Sequence, residues 1–258
     1  MDRLTAGAGV ADLVRHYWIP RWDLPDGQTK RQVVLGYPAC NLVVEPGAIT
    51  LSGPTSRVSH RDLAGSGWAV GALLLPAAGP AVLALIDDWD GASADRRVAA
   101  LVDRECRIGG AAHPRWTGLR AAVTQAMAAD DLPGATAALE RFLLPLRAAL
   151  APDAVLANRM QQVVESSAAR RVDELARALA VSSRSLQRLA RTYVGLSPSA
   201  MIRRRRLQDA ADEVRRDPNA DLATVAVQHG YADHAHLTRE FRDVLGFTPS
   251  QYRTHSRG

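Results

Sequence analysis

No run of about 18 apolar residues occurs in the 258-residue chain, so no bilayer-spanning helix is expected. The richest run, VGALLLPAAGPAVLALI, is interrupted by Pro76, Gly79 and Pro80. The N-terminal MDRLTAGAGVADLVRHYW has no apolar core followed by a cleavage site, so no secretory signal is expected and the compartment is read as cytoplasmic. Cysteine is scarce. Cys40 and Cys106 stand alone in separate segments, which fits a reducing cytosol and two small buried hydrophobes. Neither lies in a Pro-Cys-His-like nucleophile context. A Walker loop, a G-x-G-x-x-G turn and a nucleophile elbow are all missing, so no enzyme activity and no cofactor are expected. His229, His234 and His236 do not make a metal set, because residues two apart on a helix do not share a face and no Cys or carboxylate completes them. Lysine is reduced to Lys30, a compositional bias without mechanistic weight.

With 47% hydrophobic and 23% charged residues, the chain is a folded globular protein long enough for two domains. The net charge of +5 is uneven. From Arg159 onward, 17 Arg meet 11 acids; before it, 15 basic residues meet 16 acids. One half carries the whole excess, which points to a polyanionic partner.

From Val14 to about Pro76, short segments such as HYWIPRW, RQVVLGY, NLVVE and AITLS alternate with turn signals such as LPDGQ and EPG. This predicts a small antiparallel β-barrel or sandwich. From Ala77 to Ala151 the period becomes helical, as in ADRRVAALVDREC, WTGLRAAVTQAMAA and GATAALERFLLPLRAAL, with Pro145 kinking or ending the last. The segment APDAV marks a boundary. Residues 1–155 are read as one β-rich unit with a helical part at 77–151, and residues 156–258 as an all-α domain: an α+β chain overall.

The all-α half contains a repeat. LQRLARTYVGLSP (186–198) returns 51 residues later as LTREFRDVLGFTP (237–249). In the first copy Asp173 is expected to cap a helix over 174–180, and Ser182 or Ser183 to cap a second helix that Gly195 stops. In the second copy Asp221 caps 222–229, Asp233 caps the next helix and Gly246 stops it. Each copy is a helix-turn-helix, whose second helix suits a major groove. Leu186, Leu189, Leu237 and Phe241 face inward. The outward set is Ser183, Arg184, Ser185, Gln187, Arg188 and Arg191 in the first copy, and His234, Ala235, Thr238, Arg239 and Arg242 in the second. Arg forks onto guanine or phosphate and Gln onto adenine. Between the copies, residues 198–217 read as one helix. About 19 residues at 1.5 Å each span roughly 28 Å, close to the ~34 Å between successive major-groove segments on one DNA face. Arg203 to Arg206 point around this whole helix, so they divide between phosphate contact and ion pairs that support the two heads.

These features resemble the DNA-binding domain of the AraC/XylS family of bacterial transcription regulators, on the two copies, RRLQDA (205–210) and the closing GFTPSQYR (246–253). The resemblance covers residues 158–255 and implies recognition helices at 183–193 and 233–244. Ala190 and Tyr231 depart from the Phe usual at those places. The N-terminal segment, with HYWIPRWDLP and NLVVEPG, is similar to poorly described N-terminal domains of actinobacterial members. The resemblance implies a cytoplasmic, sequence-specific regulator that reads double-stranded DNA, more commonly an activator. Its N-terminal unit would act through a small-molecule effector or a homodimer, with RNA polymerase as a further partner. Trp18, Trp22 and Trp68 are the candidate ligand-pocket residues; the bland reading of all three is core. Two alternatives give the C-terminal half only a targeting role: an enzyme in the N-terminal unit, or a ligand-free dimerisation module there.

Overall fold

The computed structural model describes residues 2–34, 38–55, 59–86, 98–108, 114–217 and 219–255, with the backbone alone at 33, 34, 59 and 255. Ten strands and ten α-helices follow in chain order among them.

The strands are β1 (Asp2–Thr5), β2 (Val14–Ile19), β3 (Arg21–Asp23), β4 (Thr29–Val34), β5 (Asn41–Glu45), β6 (Ala48–Ser52), β7 (Ser59–Ala64), β8 (Ser66–Trp68), β9 (Val70–Leu74) and β10 (Glu105–Ile108). Six of them form one antiparallel sheet in the order β1-β2-β9-β5-β6-β10. Two-stranded ribbons, β3-β8 and β4-β7, extend it. The tight β5-β6 hairpin, with Glu45 opposite Ala48, is the product of the EPG turn signal. The antiparallel sheet is as the sequence predicts, but it does not close into a barrel: β1 and β10 remain its two edges.

Helices α1 (Ala78–Leu83), α2 (Pro114–Ala128) and α3 (Leu132–Leu143) complete this core. Tyr17, Leu42, Leu51, Leu74, Val123 and Leu139 are buried together there, so the second layer is helical. Asp131 starts α3 by accepting the Gly134 amide at 2.9 Å. Pro145 ends it, and residues 144–149 continue as a 3₁₀ helix, because proline removes an amide and clashes with the preceding turn.

One expected helix is corrected. Glu105–Ile108, at the end of the helical reading of ADRRVAALVDREC, is β10, paired to β6 with Cys106 opposite Leu51. Asp103 takes a left-handed φ of 56°, which breaks any helix there, and pairing to a free sheet edge outweighs periodicity. Residues 94–97 of that segment lie outside the described residues.

From Pro152 the chain is helical: α4 (Pro152–Glu165), α5 (Val172–Ala178), α6 (Ser183–Tyr193), α7 (Pro198–Arg216), α8 (Leu222–Gln228), α9 (His234–Leu245) and α10 (Pro249–His255). APDAV is thus the start of α4. Two further cores lie here. Ala157, Met160, Leu175, Leu186, Leu189 and Met201 form one; Leu207, Val214, Val225, Tyr231, Leu237 and Phe241 form the other. Helix α7 contributes to both, so it bridges them.

Candidate nucleic-acid interface

Each repeat copy folds as two helices around a left-handed turn. In the first, Ala180 sits at φ 54° and the Val181 amide donates to Ala176 O at 3.0 Å. Ser182 then caps α6, its Oγ accepting the Ser185 amide at 3.1 Å. In the second, Gly230 sits at φ 73° and the Tyr231 amide donates to Ala226 O at 2.8 Å. Asp233 caps α9 by accepting the His236 amide at 2.7 Å. Helix α8 begins 50 residues after α5 (Leu222 against Val172), but α9 begins 51 after α6 (His234 against Ser183). The second turn therefore holds one residue more.

The first helices differ in their caps. Asp221 caps α8 as expected, and bonds from the Thr224 hydroxyl and the Thr224 and Ala223 amides hold its carboxyl below the usual range. Asp173 does not cap α5. Glu174 does so instead, reaching back to the Arg170 amide at 2.8 Å and the Arg171 amide at 3.2 Å. Asp173 lies inside the first turn and pairs with Arg171 and Arg177. A longer Glu side chain three residues in reaches the free amides that a short Asp at that depth does not.

The outward faces are where the pattern puts them. Ser183, Arg184, Gln187, Arg188 and Arg191 are exposed on α6, and Ser185 is half-buried beside Ser182. On α9, His234, Ala235, Arg239 and Arg242 are exposed; Thr238 is half-buried, 3.3 Å from His234 Nε2. Among the described residues no acid pairs with Arg184, Arg191, Arg239 or Arg242. Arg188 differs: its Nη1 lies 3.0 Å from Asp153 Oδ2 on α4. Charge on these faces is thus largely uncompensated, as an anion-facing surface requires.

Helix α7 runs 19 residues, or about 28 Å. Its four arginines diverge. Arg203 pairs with Glu240 at 3.1 Å, Arg204 is buried, and Arg205 pairs with Asp209 at 2.6 Å beside Ser167. Arg206 donates to Gly230 O at 3.1 Å and lies over the Tyr231 ring. The three histidines separate: His229 contacts Glu213 at 2.6 Å, His234 contacts Thr238, and His236 packs edge-on against Tyr231.

The tryptophans separate too. Trp22 and Trp68 line an open cleft of about 330 Å³ with Arg21, Pro46, Met127 and Asp130. Trp18 is not part of that lining. Its indole lies on Gly71 and donates to Asn41 Oδ1 at 3.1 Å.

Sequence reading missed the residues that join the β-rich part to α4. Asn158, 7% exposed, accepts the Ala77 amide at 2.9 Å and donates to Asp12 O at 2.7 Å. Arg15 pairs with Glu165, which also accepts from buried Gln161 at 2.7 Å. The only signal was an Asn and a Gln on the apolar side of a helix, which spacing alone does not interpret.

Comparison with known proteins gives two matches to family descriptions. Residues 175–255 match a helix-turn-helix domain, and residues 2–86 match a domain of unknown function, DUF6597. An AraC-like transcription regulator of Streptomyces lividans is 37% identical over 84 residues, 33% of this chain and 27% of that protein. An uncharacterized HTH-type transcriptional regulator of Haemophilus influenzae is 30% identical over 82 residues, 32% of this chain and 27% of its own length. The chain thus spans about a quarter of the length of these relatives. Among solved structures, ToxT from Vibrio cholerae is 13% identical with a TM-score of 0.46, over 94% of this chain and 98% of that one.

Proposed function

We propose, from the AraC-type helix-turn-helix domain of residues 175–255, that this protein is a sequence-specific transcription regulator reading two successive major-groove segments of double-stranded DNA. The observation that carries the proposal is the pair of basic, exposed second helices, α6 and α9, whose two cores are bridged by one 19-residue helix. Arg184, Gln187 and Arg191 on α6, and His234, Arg239 and Arg242 on α9, would meet base edges and phosphates, with Ser183, Ser185, Ala235 and Thr238 at the helix starts. Arg188 would exchange Asp153 for phosphate. Residues 156–258 form the reading domain in this account. Residues 1–155 bias it through a small effector or a second copy of the chain, in the cytoplasm, with RNA polymerase as the downstream partner. The buried Asn158 contacts support such communication, since they tie the β-rich part to the helix that packs on the first reading head.

Quantitative DNA binding by Arg188→Ala and Arg239→Ala tests the proposal. Each loses affinity, and the slope of log K against log salt becomes shallower by about one for every phosphate contact removed. Unchanged affinity and slope in both variants would remove α6 and α9 as the reading helices.

A further inference from the structure

The two reading heads are attached to α7 by different chemistry. In the first unit the helix faces its neighbours with hydrocarbon: Leu186, Leu189 and Ala190 are buried with Met160 and Met201. In the second unit the position that matches Leu189 is Glu240. It is 9% exposed, on the inward side of a helix whose outer side is basic. A lone carboxylate at such depth is costly unless it is paired.

Its partners come from α7. Glu240 Oε1 lies 3.1 Å from Arg203 Nε, and Oε2 lies 4.0 Å from Arg206 Nη2. His236, one turn earlier on α9, is 3.9 Å away. Arg206 does more than face the acid. It donates through Nη1 to Gly230 O at 3.1 Å, closing the end of α8. Its guanidinium carbon stands 4.4 Å from the centre of the Tyr231 ring, the turn residue, which is 3% exposed. One guanidinium thus meets the end of α8, the turn and α9 at once. Only the planar fork of arginine combines a carbonyl bond, ring stacking and an ion pair in this way.

We propose that Arg206, acting with Glu240, is a positioning residue that sets the orientation of the second reading helix on α7, at the place where the first reading helix presents the buried hydrocarbon of Leu189. This rests on the two-headed reading proposed above. Burial pushes the Glu240 carboxyl upward, with Arg203 and Arg206 opposing, so the charged acid is retained at a cost to stability. Retention at a cost fits a role in orientation more than one in holding the fold together.

The test uses the full chain with Arg206→Met, which keeps the stem, and Glu240→Gln, which keeps the shape. Amide hydrogen exchange is read on α6 and α9 separately. In both variants α9 should exchange about tenfold faster, with α6 unchanged. On a selected bipartite DNA site, altering the second half-site should penalise wild type strongly, and that penalty should shrink about tenfold in the variants. The penalty for altering the first half-site should stay. Equal acceleration in both helices, or unchanged exchange and an unchanged penalty, would overturn the inference. If wild type selects no bipartite site, the two-headed reading fails instead, and the exchange rates alone decide whether Arg206 holds α9.

Discussion

Ala180 and Gly230 occupy the same place in the two repeat copies, left-handed at φ 54° and φ 73°, just past the first helix of each unit. The next residue in each case, Val181 or Tyr231, sends its amide back to the helix at about the same distance, 3.0 and 2.8 Å. Glycine adopts this backbone freely, whereas a Cβ costs roughly 1–2 kcal/mol.

Ala180→Gly should therefore stabilise the protein. The relief exceeds the entropy that glycine adds to the unfolded chain, leaving about 0.5–1 kcal/mol. Ala180 is exposed, so no packing is lost. The check is the urea midpoint of the two proteins at equal m-value. A lower midpoint for the glycine variant would contradict the account of the turn.

Asn158→Leu should destabilise the chain strongly. It strands the Ala77 amide and the Asp12 carbonyl, both now satisfied by one buried side chain. Each abandoned group costs about 1–3 kcal/mol, so a total of roughly 2–6 kcal/mol is expected from chemical denaturation. A loss below about 1 kcal/mol would mean that Asn158 does not tie the two parts together.

The two thiols should react differently. Cys40 is 4% exposed and burial pushes its thiol up to about 12, so almost no thiolate forms at neutral pH. Cys106 is half-exposed on the edge strand β10. A disulfide reagent should modify one thiol per folded chain, at Cys106, and a second only after denaturation. Rapid labelling of Cys40 in the folded protein would contradict its place in the core.

Acid should weaken the N-terminal core through His16. Burial, with Arg3 and Arg15 nearby, lowers its pKa to about 4. The unfolded imidazole takes its proton near pH 6.5, before the folded one does. Its contribution is therefore complete above about pH 6.5 and is lost as pH falls from there towards 4. His16→Gln should flatten this part of the melting-temperature profile relative to wild type. Parallel profiles between pH 6.5 and 4 would show that His16 is free to protonate.

Local patterns were legible in the sequence where they were short-range. Ser182, Asp221 and Asp233 cap the helices they precede, Gly195 and Gly246 end theirs in left-handed turns, and the 19-residue α7 is delimited by Ser197-Pro198 and Asp217. What escaped depends on contacts distant in sequence. Strand β10 exists because β6 offers an edge, although Cys106 belongs to a helical-looking period. Turn spacing fixes hairpins and not whether the first and last strands meet, so it leaves barrel and sandwich open; the sheet keeps β1 and β10 as its edges. Glu240 and Asn158 looked like ordinary polar residues; their roles appear only when Arg206 or Ala77 is brought against them.

The most direct measurement is selection of genomic DNA fragments by the purified full-length protein at modest salt, followed by sequencing. Two heads joined by α7 should enrich a bipartite motif with half-sites about one helical turn, ~34 Å, apart. Enrichment of a single short half-site, or of no motif with either the full chain or residues 156–258, would contradict the two-headed reading.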